Sequence, residues 1–185
     1  MKYKLILPVE QRVTRWSGGE TRELYIAPEN SSYAGRDFEL RLSTATVETR
    51  TSDFTPLPDY QRILLLLEGK ISLHHSSDAG IGLTPYAQYS FDGGIATKSH
   101  GTCRDFNVMV RKGTGTMPVV QAIEKFPVRI KQGKSTFLYA YGTKLQIHCE
   151  NLAIAVPQGS LVCLYDHPEA RLQADGLGAC IMVQF

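Results

Sequence analysis

The sequence has little of what marks a helical or membrane protein. Apolar residues keep no helical period over any long stretch, which argues against a helical domain. No run approaches the roughly 18 apolar residues of a membrane span, and the apolar start at Leu5 to Leu7 is far too short for a signal sequence. We therefore expect a cytoplasmic protein without a membrane partner.

Charge of one sign is not in excess either. The 20 Lys and Arg residues nearly balance the 18 Asp and Glu residues, for a net charge of +2. Basic residues form no run with interleaved aromatics, which a nucleic-acid groove would need. The composition excludes nucleic acid as an expected partner. With 43% hydrophobic residues among 185, it indicates an ordinary folded chain.

Cysteine pairs and chelating histidines are also missing. The four cysteines, at positions 103, 149, 163 and 180, have no C-x-x-C spacing, so we expect free and mostly buried thiols. A nucleophilic Cys103 would need a base, and His100 is the only local candidate. His74 and His75 are adjacent and point to opposite faces of a strand, whereas a chelating pair needs H-x-H spacing. Three further histidines stand alone in the sequence: His100, His148 and His167. The sequence predicts no metal and no other cofactor.

Short β-rich runs separated by Gly, Pro, Asn and Asp are what the sequence does contain. They are typical of a β-sandwich or barrel, so we predict an all-β fold. A weak internal duplication is present, because residues 66–91 and 140–164 both read strand, Gly turn, strand, Pro-bearing turn, strand. Gly69 and Gly142 suit tight turns with a positive φ angle. The order is similar to one β-barrel half of a cupin, a small jelly roll, so two copies resemble a bicupin.

Several short motifs in a fixed order carry a more specific resemblance. They are Trp16-Ser17-Gly18-Gly19-Glu20-Thr21, Arg41-Leu42-Ser43-Thr44-Ala45, Phe54-Thr55-x-Leu57-Pro58-x-x-x-Arg62, Glu68-Gly69 and Asp105-Phe106-Asn107-x-Met109. In this order they resemble the HutD/Ves family. The resemblance implies two packed jelly-roll lobes, residues 1–113 with a small polar pocket and residues 114–185, and an association with bacterial histidine utilisation. We also expect the two lobes to share a continuous sheet.

The candidate site centres on Asp105 and Asn107. Alternation at period two points both side chains to one face of a strand, and the apolar Val108-Met109-Val110 that follows places this face in the interior. Strong hydrogen-bonding groups there need partners or a ligand. A satisfied structural pair that closes a hairpin would explain the same pattern.

Arginines in apolar strands are the second part of this site. Arg41 would be costly to bury unless paired, and its planar guanidinium matches a carboxylate bidentately, so we expect it to dominate ligand affinity. An internal ion pair with Asp105, or a rim position on an edge strand, would also accommodate it. Ser43 shares its face. Arg62 opens an apolar run of leucines, where it borders the pocket or caps the strand in water.

Trp16, the single tryptophan, stands beside Gly18-Gly19. It is either a stacking wall for a planar ligand or a lid over the end of the barrel. Thr21 follows in the same segment, where alternation leaves open which side chains point inward. The complete predicted ligand site is Trp16, Thr21, Arg41, Ser43, Arg62, Asp105 and Asn107.

Two functions fit these residues. A non-catalytic or regulatory protein would bind a small anionic metabolite of histidine breakdown, such as urocanate or an N-formyl amino acid; we prefer this function. The alternative is a metal-independent enzyme, an isomerase or hydrolase for a small acid, with Asp105 as general base and Arg41 holding the substrate. A raised pKa of Asp105 would favour the enzyme, and a pKa depressed by Arg41 would favour binding. The sequence leaves the oligomeric state open, with a homodimer as one option.

Overall fold

A computed structural model describes residues 1–75 and 79–185. Its strands are, in chain order, β1 (Lys2–Ile6), β2 (Arg12–Trp16), β3 (Gly19–Ala27), β4 (Leu40–Val47), β5 (Thr51–Asp53), β6 (Tyr60–Gly69), β7 (Ile71–His75), β8 (Ile81–Leu83), β9 (Gln88–Asp92), β10 (Thr97–His100), β11 (Cys103–Arg111), β12 (Val119–Ile123), β13 (Val128–Ile130), β14 (Gly133–Tyr141), β15 (Lys144–Cys149), β16 (Leu152–Val156), β17 (Leu161–His167), β18 (Ala170–Asp175) and β19 (Ala179–Gln184). Within these residues the helical structure is a short 3-10 turn at Pro8–Glu10, and no helix is long and apolar enough to cross a membrane. The prediction of an all-β fold is confirmed.

The chain divides into two compact units. The N-terminal unit is Arg12–Gly115, and the C-terminal unit combines Met1–Gln11 with Thr116–Phe185. The sequence-based division placed the first residues in the N-terminal lobe, whereas in the structure β1 pairs with β17 along its length. Each sheet takes its strands from one unit. The expectation of a sheet shared by both lobes is therefore wrong, because β12, the first strand after the linker, pairs with β19 of its own unit.

Both units repeat the same strand order. The N-terminal unit has sheets β2-β3-β4-β11-β6-β9 and β5-β10-β7-β8, and the C-terminal unit has sheets β1-β17-β14-β19-β12 and β13-β18-β15-β16. Read from the other end, the order β12-β19-β14-β17 repeats β4-β11-β6-β9, and β13-β18-β15-β16 repeats β5-β10-β7-β8. The duplicated segments of the sequence correspond to β6 to β9 and β14 to β17. This double arrangement is consistent with the two jelly-roll lobes expected from the cupin resemblance.

Alternation along the central strands of the six-stranded sheet positions the candidate site. Leu64 and Leu66 of β6 are fully buried in an apolar cluster of the N-terminal unit. Leu65, between them, is also buried, so β6 is apolar on both faces. Arg62 shares the face of Leu64 two residues earlier. The apolar lining of this face thus gives way to polar side chains toward the beginning of β6.

The Gly69 turn provides a test of the fold. Gly69 ends β6 with φ of 85°, and a Cβ atom there would collide with the carbonyl oxygen of Thr102. We expect Gly69→Ala to lower the free energy of unfolding by about 1–3 kcal/mol, measured by urea denaturation. Gly82→Ala is the matched control, because its Cβ would meet open space, and its change should stay within about 0.5 kcal/mol. Equal losses in both variants would contradict the role given to this turn.

Candidate functional site

One cavity in the N-terminal unit collects every side chain that the sequence predicted for a site. Its volume is about 420 Å³. Side chains of β2, β3, β4, β6 and β11 form one wall, and residues 33–34 and 52–55 form the rest. The predicted residues on its lining are Trp16, Thr21, Arg41, Ser43, Arg62, Asp105 and Asn107. That they bind a ligand stays a prediction.

Strand register explains why these side chains meet. On β11, Asn107 lies opposite Ser43 of β4, and Met109 lies opposite Arg41 of β4 and Arg62 of β6. Directly opposed residues in antiparallel strands share a face of the sheet. The two guanidinium groups therefore flank β11 from its two sides, on the face that carries Asp105 and Asn107.

A buried hydrogen-bonded chain joins Arg62, Asn107 and Asp105. The Arg62 NH2 group donates to Asn107 Oδ1 at 3.0 Å, and Asn107 Nδ2 donates to Asp105 Oδ1 at 2.9 Å. A guanidinium can only donate and a carboxylate can only accept, so these neighbours fix the orientation of the Asn107 amide. The Arg62 side chain also lies against the rings of Phe54 and Phe91, 4.7 and 5.3 Å from their centroids.

Arg62, a residue of the cavity lining, keeps one donor without a partner. The residue is only 4% exposed, which excludes the role of a strand cap in water. Its Nε–H is buried and has no acceptor within the described part of the chain. An unpaired buried donor is costly, and a ligand that accepts from it would remove that cost.

Arg41 has a different partner from the one expected. Its Nε donates to Glu23 Oε2 at 2.7 Å and its NH1 group donates to Ser43 Oγ at 3.1 Å, while the guanidinium lies 4.5 Å from the centroid of the Tyr33 ring. The proposed ion pair with Asp105 and the rim position are both wrong, because β4 is an interior strand between β3 and β11. Glu23 was missing from the predicted site. The need of a buried Arg41 for an acidic partner was the signal that could have found it.

Trp16 forms part of the cavity wall on the edge strand β2. Its side chain is 38% exposed, and its Nε1 donates to Thr21 Oγ1 at 3.2 Å. A Cβ atom at Gly18 would overlap the Trp16 ring, so this glycine lets the indole fold back over the chain. Thr21 thus points to the cavity and holds the ring there.

Burial dominates the electrostatics of the site. It raises the pKa of Asp105 to about 6, although the bond from Asn107, the charge of Arg62 and a backbone bond from Ala45 act in the opposite direction. Burial also lowers the pKa of Arg62 to about 10. The pKa of Cys103 rises to about 12 through burial and the nearby Asp105, so its thiol stays protonated and is a poor nucleophile.

The residues do not fit a metal centre of the kind many cupins hold. The described lining of the cavity includes no histidine or cysteine, and residues 1–75 and 79–185 contain no group of three or more His, Cys, Asp or Glu that could hold a metal. His75 is buried with Nδ1 3.0 Å from Thr97 Oγ1. His74 is on the other face, where its ring centroid lies 5.0 Å from that of His100.

Two of the histidines that stand alone in the sequence have neighbours in the structure. His100 is exposed, and its ring contacts that of His74. His167 is buried, and its Nε2 lies 2.7 Å from Thr136 Oγ1. Both partners come from strands distant in sequence, so spacing could not reveal them.

A jelly-roll-like strand order that occurs twice defines a cupin-like β protein. The HutD family model matches residues 9–182. The chain therefore belongs to the HutD family, as the motifs of the sequence indicated. No curated protein sequence is a significant match to the chain.

Solved structures support the fold. A conserved protein of unknown function from Pseudomonas aeruginosa is 19% identical to this chain, with a TM-score of 0.83. The match covers 100% of this chain and 98% of that chain. The structure of HutD from Pseudomonas fluorescens in a formate condition is 15% identical to this chain, with a TM-score of 0.75. The match covers 99% of this chain and 97% of that chain. The bacterial pirin YhhW from Escherichia coli, in complex with nickel(II), is 8% identical with a TM-score of 0.71, covering 100% and 99%. At these identities the similarity concerns the fold alone.

The raised pKa of Asp105 predicts a pH-dependent stability. Between pH 3.8, the ordinary pKa, and about 6, the folded protein keeps a proton that the unfolded chain releases. The free energy of unfolding contributed by Asp105 therefore falls as pH rises through this window, by up to about 3 kcal/mol, and is constant above it. Asp105→Asn removes this contribution.

Urea denaturation at pH 4 and pH 7 measures the effect. We expect the variant to gain stability relative to the parent protein between the two pH values. If the two proteins differed in free energy of unfolding by the same amount at both pH values, Asp105 would titrate in the folded protein as it does in the unfolded chain.

Proposed function

We propose that this HutD family protein is a non-catalytic, regulatory small-molecule-binding protein. Its proposed ligand is a small carboxylate metabolite of histidine breakdown, such as urocanate or an N-formyl amino acid. The observation that carries the proposal is the buried Arg62 guanidinium, whose Nε–H has no acceptor among the described residues of its cavity. A carboxylate oxygen is the acceptor that best matches a guanidinium.

The dimensions of the cavity suit such a ligand. A volume of about 420 Å³ lies within the range typical of small-molecule sites. Polar groups at Arg41, Arg62 and Asn107 would fix the carboxylate end. The aromatic rings of Trp16 and Tyr33 offer apolar surface for the remainder of a planar molecule.

The family connects the proposed ligand with histidine breakdown, because the name HutD implies a connection with histidine utilisation.

A second candidate function is a metal-independent enzyme, an isomerase or hydrolase for a small acid, with Asp105 as general base. One observation favours it: a pKa of about 6 lets Asp105 accept a proton near neutral pH. The depressed pKa that pairing with Arg41 would have produced does not arise, because Glu23 takes that position.

Arg62 should contribute more to affinity than Arg41, the reverse of the ranking expected from sequence. Glu23 already engages Arg41 Nε, whereas Arg62 has a free donor. We expect Arg62→Lys to weaken binding of urocanate or an N-formyl amino acid at least about tenfold in calorimetry, since Lys keeps the charge and loses the planar donor set. Arg41→Lys should weaken it less.

Arg104→Lys is the matched control. Arg104 is an exposed residue of β11, next to Asp105 on the opposite face. The Arg104→Lys variant should bind the ligand with a dissociation constant within about twofold of that of the parent protein. Equal affinity of folded Arg62→Lys and the parent protein would contradict the proposed anion site.

Turnover assays separate the two functions. Incubation of the protein with urocanate and with N-formyl amino acids, followed by absorbance and mass spectrometry, should show binding without product. Product formation that disappears in Asp105→Asn would establish the enzyme instead.

A further inference from the structure

The charges buried around the cavity balance before any ligand enters. The positive side chains are Arg41 and Arg62, and the negative ones are Glu23 and Asp105. With both carboxyl groups ionised, this set has no net charge. A carboxylate ligand would then add an uncompensated negative charge to a buried site, which is strongly unfavourable.

The two carboxyl groups differ in how they are held. Glu23 lies 2.7 Å from Arg41 Nε in a direct ion pair. Asp105 is 2% exposed and accepts from the neutral amide of Asn107, which separates it from Arg62. Protonation of Asp105 therefore gives up fewer favourable interactions than protonation of Glu23 would.

We propose that the cavity binds its carboxylate ligand together with one proton, which Asp105 takes up. This inference rests on the proposed function and adds to it that the bound species is a monocarboxylate with a proton. With Asp105 neutral, the buried set has a charge of +1, which a monoanion cancels. The protonated carboxyl also becomes a donor, and its O–H can form a short charge-assisted hydrogen bond to the ligand carboxylate.

Other titratable groups face the same space. On the elements that line the cavity they are Arg12, Glu23, Tyr33, Arg41, Asp53 and Arg62, and Cys103 lies near Asp105 on its own strand. The side chain of Asp53 is 76% exposed, so solvent screens its charge. Burial, which raises the pKa of Asp105 to about 6, lets this group take up a proton near neutral pH.

Binding at several pH values tests the inference. Sodium formate and N-formylglycine are suitable probes, because neither has a second group that titrates between pH 6.5 and 8.5. Trp16 is the single tryptophan and lies on the cavity wall, so its fluorescence can report binding to the full chain. Calorimetry in two buffers of different ionisation enthalpy gives the number of protons that the protein takes up for each ligand bound.

We expect the dissociation constant to rise about tenfold per pH unit above pH 7, with uptake approaching one proton per ligand. Asp105→Asn keeps an acceptor oxygen for Asn107 and has no titrating group, so its dissociation constant should vary less than about twofold over this range. Asp92→Asn is the matched control. Asp92 is outside the cavity, where it pairs with Lys112 at 2.7 Å, and this variant should keep the pH dependence of the parent protein.

The possible outcomes distinguish this inference from the proposed function. Binding that is independent of pH, without proton uptake, would overturn the proton coupling and leave the carboxylate site intact. A pH dependence that persists in Asp105→Asn would exclude Asp105 as the proton acceptor. Absence of binding by both probes at every pH would overturn the carboxylate site and the proton coupling together.

Discussion

The burial of guanidinium groups inside a β lobe is the constraint on which the site depends. A buried charge is tolerated only when it is paired and hydrogen-bonded. Arg41 meets this condition through Glu23, and Arg62 meets it in part through Asn107 and, beyond it, Asp105. The polar residues Glu23 of β3 and Asp105 and Asn107 of β11 are thus required by the arginines they face. This arrangement leaves one donor, the Nε–H of Arg62, without an acceptor among the described residues.

The duplication shows that the fold itself does not require this polar set. Leu64 of β6 opposes Asn107, and its counterpart Leu138 of β14 opposes Met182. By the same register Asp105 corresponds to Cys180, which opposes Ala140. Met182 and Cys180 belong to the apolar core of the C-terminal unit. One copy of the strand order therefore fills this face with apolar side chains and the other with hydrogen-bonding groups. The polar set is therefore a property of the N-terminal unit and not of the repeated strand order.

Much of this arrangement could be predicted from sequence, because strand alternation determines faces. Asp105 and Asn107 share a face and hydrogen-bond to each other, and the glycine turn after β6 has the positive φ angle expected. Alternation does not determine which residues are neighbours across strands. The expected pairing of Arg41 with Asp105 was wrong for this reason. Glu23 was hidden for a further reason: the register between β3 and β4 shifts between Glu23 and Tyr25, and a bulge interrupts period-two alternation. The sequence of β2 does not indicate a strand, because all its side chains are exposed and it lacks an apolar face.

The proposed binding function and the alternative enzyme place different demands on Asp105. A hydrolase of this kind needs a nucleophile or an activated water beside its base, and the pKa of about 12 at Cys103 removes the nearest thiol. Asp105 is itself constrained, since its Oδ1 accepts from an amide whose other end is held by Arg62. A carboxyl group fixed in this way can exchange a proton without moving. Such exchange neutralises a buried charge when an anion arrives, which is what a reversible binding site requires, whereas a catalytic base must also return the proton to its substrate in each cycle.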